Sequence, residues 1–180
     1  WAYANNNGDP DSFGELNSTA AWYQNQGASG TYTTTPDSSV LTLTNYGQVN
    51  GSGNTYVAYC WSEVKSFSKF GSYTGNGSAD GTFIYTGFKP AFVMVKVASG
   101  TTGNWQMQDT KRLGYNDKNV RILANVSEAE KTDQMWDILS NGFKVRSTSG
   151  DANGSGNTFI YMAFAENPFV TSTGIPTTAR

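Results

Sequence analysis

The stretch Asn153-Gly154-Ser155-Gly156-Asn157-Thr158-Phe159-Ile160-Tyr161-Met162-Ala163-Phe164 decides how the chain is read. It joins a tight polar turn to a run that is apolar on both faces. Glycine enters positive φ at no steric cost and asparagine tolerates it, so the first five residues form a corner. The aromatic and β-branched run that follows predicts a buried strand. A second copy, Asn50-Gly51-Ser52-Gly53-Asn54-Thr55-Tyr56-Val57-Ala58-Tyr59-Cys60-Trp61, stands 103 residues earlier. Recurrence at that offset marks a domain-sized unit, too long for a propeller blade or a solenoid coil.

Working outward, strand patterns cover residues 1–4, 40–44, 69–74, 82–86, 91–97 and 104–109. Pro90 opens the most apolar of these, which reads as a central strand. Ser127 and Glu130 have capping-box spacing, but Asn141-Gly142 lies between two apolar runs and predicts a hairpin over residues 134–147. At most one helical turn precedes that hairpin. Trp105 answers Trp1, and Leu123-Ala124-Asn125 answers Leu16-Asn17. About ten short strands joined by polar turns predict an all-β fold, an antiparallel β-sandwich or jelly roll with little or no helix. Residues 1–66 then form the C-terminal part of a preceding β module, 67–169 a complete sandwich module, and 170–180 an extended tail. Half a sandwich cannot cover its own apolar face. Residues 1–66 must therefore pack on the complete module, on another chain, or on the rest of their own unit. A start at Trp1 in place of Met reads as a product cut from something longer.

The composition sets limits on function. Charged residues make up 14% of 180 and the net charge is −2, so no basic field gathers nucleic acid or anionic lipid. No apolar run approaches the roughly 20 residues of a membrane helix, and membrane insertion is not expected. Histidine is absent, which removes His-dependent triads and His metal sites. The single cysteine, Cys60, lies in the first repeated strand opposite Ala163 in the alignment, and a buried inert thiol is the expected state. No cofactor, metal or catalytic residue is expected.

Several groups have a chemical reading beside a plainer one. Residues 151–157 alternate oxygen side chains as a calcium loop does, yet no acid closes the loop, and a turn explains both copies. Asn6, Asp9 and Asp11 are a second cation candidate, with an ordinary loop as the simpler account. Asp109, Asp117, Glu128, Glu130, Asp133 and Asp137 could supply a glycosidase pair, but nothing marks two of them, and a solvated surface accounts for them all. The Asn-x-Ser/Thr sequons at Asn17, Asn50, Asn76, Asn125 and Asn153 are read as turns. Trp1, Trp61, Trp105 and Trp136 fall in strand-like runs and are expected in the core. Trp22 and Tyr23 fall in a loop, as do Tyr115, Asn116 and Asp117, which combine a ring face with hydrogen-bonding groups. These five are the candidate ligand-binding residues, suited to a shallow glycan site.

The repeated corner, together with Phe70-Gly71-Ser72-Tyr73-Thr74-Gly75-Asn76-Gly77-Ser78, residues 86–96 and residues 161–169, resembles the tandem C-terminal modules of virion structural and tail-fibre-like proteins of marine and cyanobacterial tailed phages. The likeness covers residues 48–180 well and the first 47 thinly. It implies a particle-surface protein rather than an enzyme, located on the virion. It implies partners among other virion proteins, self-association as a homotrimer, and contact with a host-surface glycan. It carries no catalytic residue over to this chain. Two rivals remain at this point: a non-adhesive capsid decoration or fibre-anchoring protein, and a polysaccharide depolymerase.

Overall fold

The computed structural model describes residues 2–4, 13–21, 39–112, 116 and 120–167. Among these residues, ten strands and two single-turn helices follow in chain order: β1 (Ala2–Ala4), β2 (Phe13–Glu15), α1 (Gly47–Asn50), β3 (Ser68–Thr74), β4 (Phe83–Tyr85), β5 (Phe92–Val97), β6 (Gln106–Asp109), β7 (Arg121–Leu123), β8 (Trp136–Leu139), β9 (Gly142–Val145), α2 (Gly150–Asn153) and β10 (Thr158–Phe164). They form an antiparallel β-sandwich. One sheet has the order β3-β10-β5-β6-β7, the facing sheet has the order β4-β9-β8, and β1 and β2 make a separate hairpin.

β10, the run that decided the reading, lies near the centre of the larger sheet. It pairs along its whole length with β3 and along six residues with β5. That placement explains its lack of alternation, since a strand covered on both faces has no polar side. Phe159, Tyr161 and Ala163 point between the sheets and meet Val93, Val95 and Val97 of β5, Tyr73 of β3, and Ile84, Trp136, Ile138, Phe143 and Val145 of the smaller sheet. Aromatic rings organise this layer. Tyr73 stacks on Phe159 at 5.1 Å, and Phe143 meets Tyr161 edge-on at 5.4 Å and Trp136 at 6.2 Å. Each such pair contributes about 0.5–1.5 kcal/mol beyond area burial. Ile160 and Met162 face the other way, with Met94, Ala98 and Trp105, against a layer that includes Leu16.

The expected hairpin is present as β8 and β9, with Trp136 opposite Val145 and Leu139 opposite Gly142. Residues 124–135, directly before it, contain no helix. Its turn differs from the expected type. Positive φ is needed by the primed turn that Asn-Gly favours, and none of Ser140, Asn141 and Gly142 has it. Gly142 is required for another reason: a Cβ there would overlap the carbonyl oxygen of Ile84 on β4. Hairpin contact with the third strand, not turn geometry, selects the glycine.

Two readings of the first 66 residues are corrected. Residues 56–61 were expected as a buried strand, and residues 55–61 form no strand and are exposed. Residues 40–43 are also exposed and contribute no named strand. For residues 55–61 the cause is that a run apolar on two faces becomes a strand only where neighbouring strands complete its hydrogen bonds, and among the described residues no strand pairs with this run. Cys60 is accordingly exposed and free rather than buried, and Trp61 lies outside the core while Trp105 and Trp136 are inside it. Trp1 falls outside the described residues.

Candidate functional site

The corner itself forms twice with one geometry. In the first copy Val49 and Asn50 donate their N–H groups to Tyr46 O at 2.9 and 2.8 Å, and Asn54 donates to Gly51 O at 3.2 Å. In the second, Ala152 and Asn153 donate to Ser149 O at 3.1 and 2.7 Å, and Asn157 donates to Gly154 O at 3.0 Å. Gly53 and Gly156 have φ of 78° and 77°. Such values are available to glycine at no steric cost, so these two positions fix the exit direction of the chain.

The surroundings of the two corners differ completely. Asn153 is buried, and its amide nitrogen donates to Ser78 O at 2.7 Å, Ser147 O at 2.8 Å and Asn76 Oδ1 at 2.9 Å, while its Oδ1 accepts from Asn76 N at 2.9 Å. That burial makes it a structural pin, not a glycosylation acceptor. Its counterpart Asn50 is exposed. In the first corner the Tyr56 hydroxyl instead folds back, donating to Gly47 O at 2.6 Å and accepting from Gly51 N at 2.9 Å. Beyond it runs an apolar ribbon, with Val57 75%, Tyr59 66% and Trp61 56% exposed. Tyr59 and Trp61 stack on each other at 6.2 Å. Ile160 and Met162, which answer Val57 and Tyr59, are 4% and 8% exposed.

Just past the ribbon, a shallow cleft of about 380 Å³ opens between residues 63–69 and the turn at 85–87. Tyr85 stands exposed on its rim. Glu63 and Lys69, 3.5 Å apart, line it with Lys65 and Ser66. Ser66 adopts φ of 64°, an uncommon state for a residue with a Cβ. One exposed ring face beside both charge signs and hydroxyls is the chemistry a saccharide uses: stacking for the ring and charge-assisted bonds for its hydroxyls. No sequence signal marked this cleft, because its residues come from the connector and from a turn, and only the fold joins them.

Of the expected binding residues, Trp22, Tyr23, Tyr115 and Asp117 lie outside the described residues. Asn116 is described, and both of its oxygens are engaged internally. It has φ of 60°. Its Oδ1 accepts from Ile138 N at 2.9 Å and its carbonyl accepts from Gln134 Nε2 at 3.0 Å. It ties the β6–β7 connection to β8.

The carboxylates proposed for glycoside chemistry are each matched with a cation. Asp109 and Glu130 meet Arg112, Glu128 meets Lys131, Asp133 meets Arg121 at 2.7 Å, and Asp137 meets Arg146 at 2.6 Å. Asp117 lies outside the described residues. Asp137 is buried, a correction to its expected solvation, because Arg146 and Gln134 satisfy both of its oxygens. Among the described residues no group of His, Cys, Asp and Glu is arranged to hold a metal, and no helix is long and apolar enough to cross a membrane.

A polar seam that sequence reading missed crosses one end of the sandwich. Gln106, buried on β6, donates from Nε2 to Asp151 Oδ2 at 3.0 Å and accepts from Arg121 at Oε1. Lys96 is buried nearby. Its Nζ donates to Gly103 O and to Ser18 O at 3.4 Å, and lies 5.8 Å from the Trp105 ring centroid. Burial pushes the ammonium down to about 8, and Asp151 works in the opposite direction. Gln106 links Asp151 to Arg121, and two backbone carbonyls hold Lys96, so the seam ties β5 and β6 to the segments around them.

Fold and site together define an all-β sandwich with a shallow polar cleft. A family model for a domain of unknown function, DUF7483, matches residues 3–168, and the chain belongs to that family. No curated protein and no solved structure matches it.

Proposed function

We propose that the chain is a structural module of a surface appendage on a tailed-phage particle, and that it contacts the host cell surface. The observation that carries this reading is the corner built twice with one backbone geometry, 103 residues apart. Tandem sandwiches of one kind suit an elongated appendage. The sequence resemblance points the same way. Host contact is assigned to the cleft below Tyr85, where a glycan ring stacks on the phenol and its hydroxyls meet Glu63, Lys65 and Lys69. Self-association as a trimer belongs to the same proposal, since appendages of this type are closed cyclic assemblies.

Gold-labelled antibody against this module, viewed on intact particles from the source, is expected to mark an appendage. Label absent from assembled particles rules the virion reading out. A glycan array probed with the assembled oligomer tests contact, with Tyr85→Ala expected to lose binding. The non-adhesive structural reading has its own support in Asn116, whose hydrogen bonds turn inward. An array blank for the wild-type oligomer selects it. The depolymerase reading gains no support, because each described carboxylate candidate faces a cation.

A further inference from the structure

Among the described residues, 55–61 are a strand sequence without a sheet, and the repeat indicates which strand would complete it. In the second copy β10 lies between β3 and β5, and β5 lies between β10 and β6. The first copy holds counterparts of β6 and β7. Aligning Trp1 with Trp105 and Asn17 with Asn125 places Ala2 on Gln106 and Glu15 on Leu123. Ala2 pairs with Glu15, and Gln106 pairs with Leu123. The register of the β1–β2 hairpin is therefore that of β6–β7, with a shorter connection. Corner, hairpin and apolar ribbon are all present. What separates ribbon from hairpin in the complete module, a counterpart of β5, is not found among the described residues.

We propose that residues 55–61 pair antiparallel with a β5-like strand of the same polypeptide, lying about one repeat period of 103 residues before Phe92–Val97, and that β1 is that strand's other neighbour. A second copy of the chain is the weaker occupant, because its own β5 already has β10 on one edge and β6 on the other. The strand is apolar on both faces. Tyr56, Ala58 and Cys60 answer Phe159, Tyr161 and Ala163, which face the inner core, while Val57 and Tyr59 answer Ile160 and Met162, which face outward. The inference stands apart from the particle-surface reading, since it rests only on the repeat and its geometry.

Cys60 supplies a register-specific probe. Its counterpart Ala163 lies opposite Val93. Ala98 N donates to Thr158 O across the same ladder at 2.7 Å, so the hydrogen-bonded pairs fall on even residues of β10 and Ala163–Val93 is a non-hydrogen-bonded pair. Cα atoms in such pairs are about 4.5 Å apart, within disulfide reach. The 180-residue chain is mixed, in a glutathione redox buffer, with a synthetic peptide of residues 89–99 carrying Val93→Cys. The expected result is a disulfide to Cys60 formed about tenfold faster than with the Met94→Cys peptide, whose thiol faces the opposite side. Amide exchange at residues 56–61 is expected to slow when the unmodified peptide is added. Equal crosslinking rates with unchanged exchange overturn the proposal. So does concentration-dependent protection of residues 56–61 in the chain alone with Cys60–Cys60 dimers, which assigns the ribbon to a second copy.

Discussion

Replacing Asn153 by Ala separates what the corner owes to its sequence from what it owes to its surroundings. The side chain makes four hydrogen bonds, to Ser78 O, Ser147 O and two groups of Asn76. Each contributes about 0.5–1.5 kcal/mol net. Asn76 and Ser78 lie at the surface, where water recovers part of what is lost, while Ser147 is half-buried. The expected destabilisation is about 2–4 kcal/mol, a fall in Tm of about 10 °C for a domain this size. Asn50→Ala removes the same residue from the same backbone corner in an exposed setting and is expected to cost less than about 0.5 kcal/mol. Urea denaturation followed by tryptophan fluorescence reads both variants, with Trp105 and Trp136 as the buried reporters. Comparable losses at the two positions refute the reasoning, because they make the corner's own geometry, and not the loops pinned to it, the source of the stability.

Gly142→Ala forces a Cβ onto the Ile84 carbonyl and is expected to destabilise by about 3 kcal/mol or more, whereas Gly150→Ala has open space and stays within about 0.5 kcal/mol of wild type; thermal melts distinguish the two. Lys96 predicts a pH effect of definite sign. Its folded-state pKa of about 8 lies below the unfolded value of 10.5, so between these limits the unfolded chain binds more protons and stability rises with pH. Tyr73 and Tyr161, both raised by burial, act oppositely above pH 10, so the rise is read between pH 8 and 9.5 by urea midpoints, and Lys96→Met abolishes it. Cys60 in the native 180-residue chain is expected to react with an aromatic disulfide reagent as fast as it does in urea; a slowing of more than about tenfold in the native state shows the thiol to be covered.

How far the sequence could be read follows from what each residue depends on. Phe159 through Phe164 were legible as a strand because their neighbours, β3 and β5, are in the same chain. Tyr56 through Trp61 carry the same pattern and were misread, since a pattern records competence to pair and says nothing of whether a partner is at hand. Gln106-Met107-Gln108 shows a second limit. The strand pattern over 104–109 does not show which face is inward: Gln106 and Gln108 are buried and Met107 is partly exposed. Asp151 and Arg121 satisfy the Gln106 amide, and the Trp136 carbonyl accepts from Gln108 Nε2 while Gln108 Oε1 is buried without a partner among the described residues; these partners come from distant segments. Gly142 was correctly singled out, but for its turn, while the real constraint is a carbonyl nearly 60 residues earlier in the chain. The cleft under Tyr85 left no trace in either run that lines it. Asn116 was legible as a loop residue, and its inward bonds to β8 were not.

The order β3-β10-β5 has a consequence for synthesis. The last strand of the module to leave the ribosome is inserted between the first and the third, so the larger sheet cannot be completed until Phe164 has emerged. Until then Ser68–Thr74 and Phe92–Val97 each wait with an open edge, exposed to mispairing while translation continues. Residues 62–67 follow the exposed ribbon directly, so β3 leaves the ribosome just behind an apolar run that is itself unpaired among the described residues.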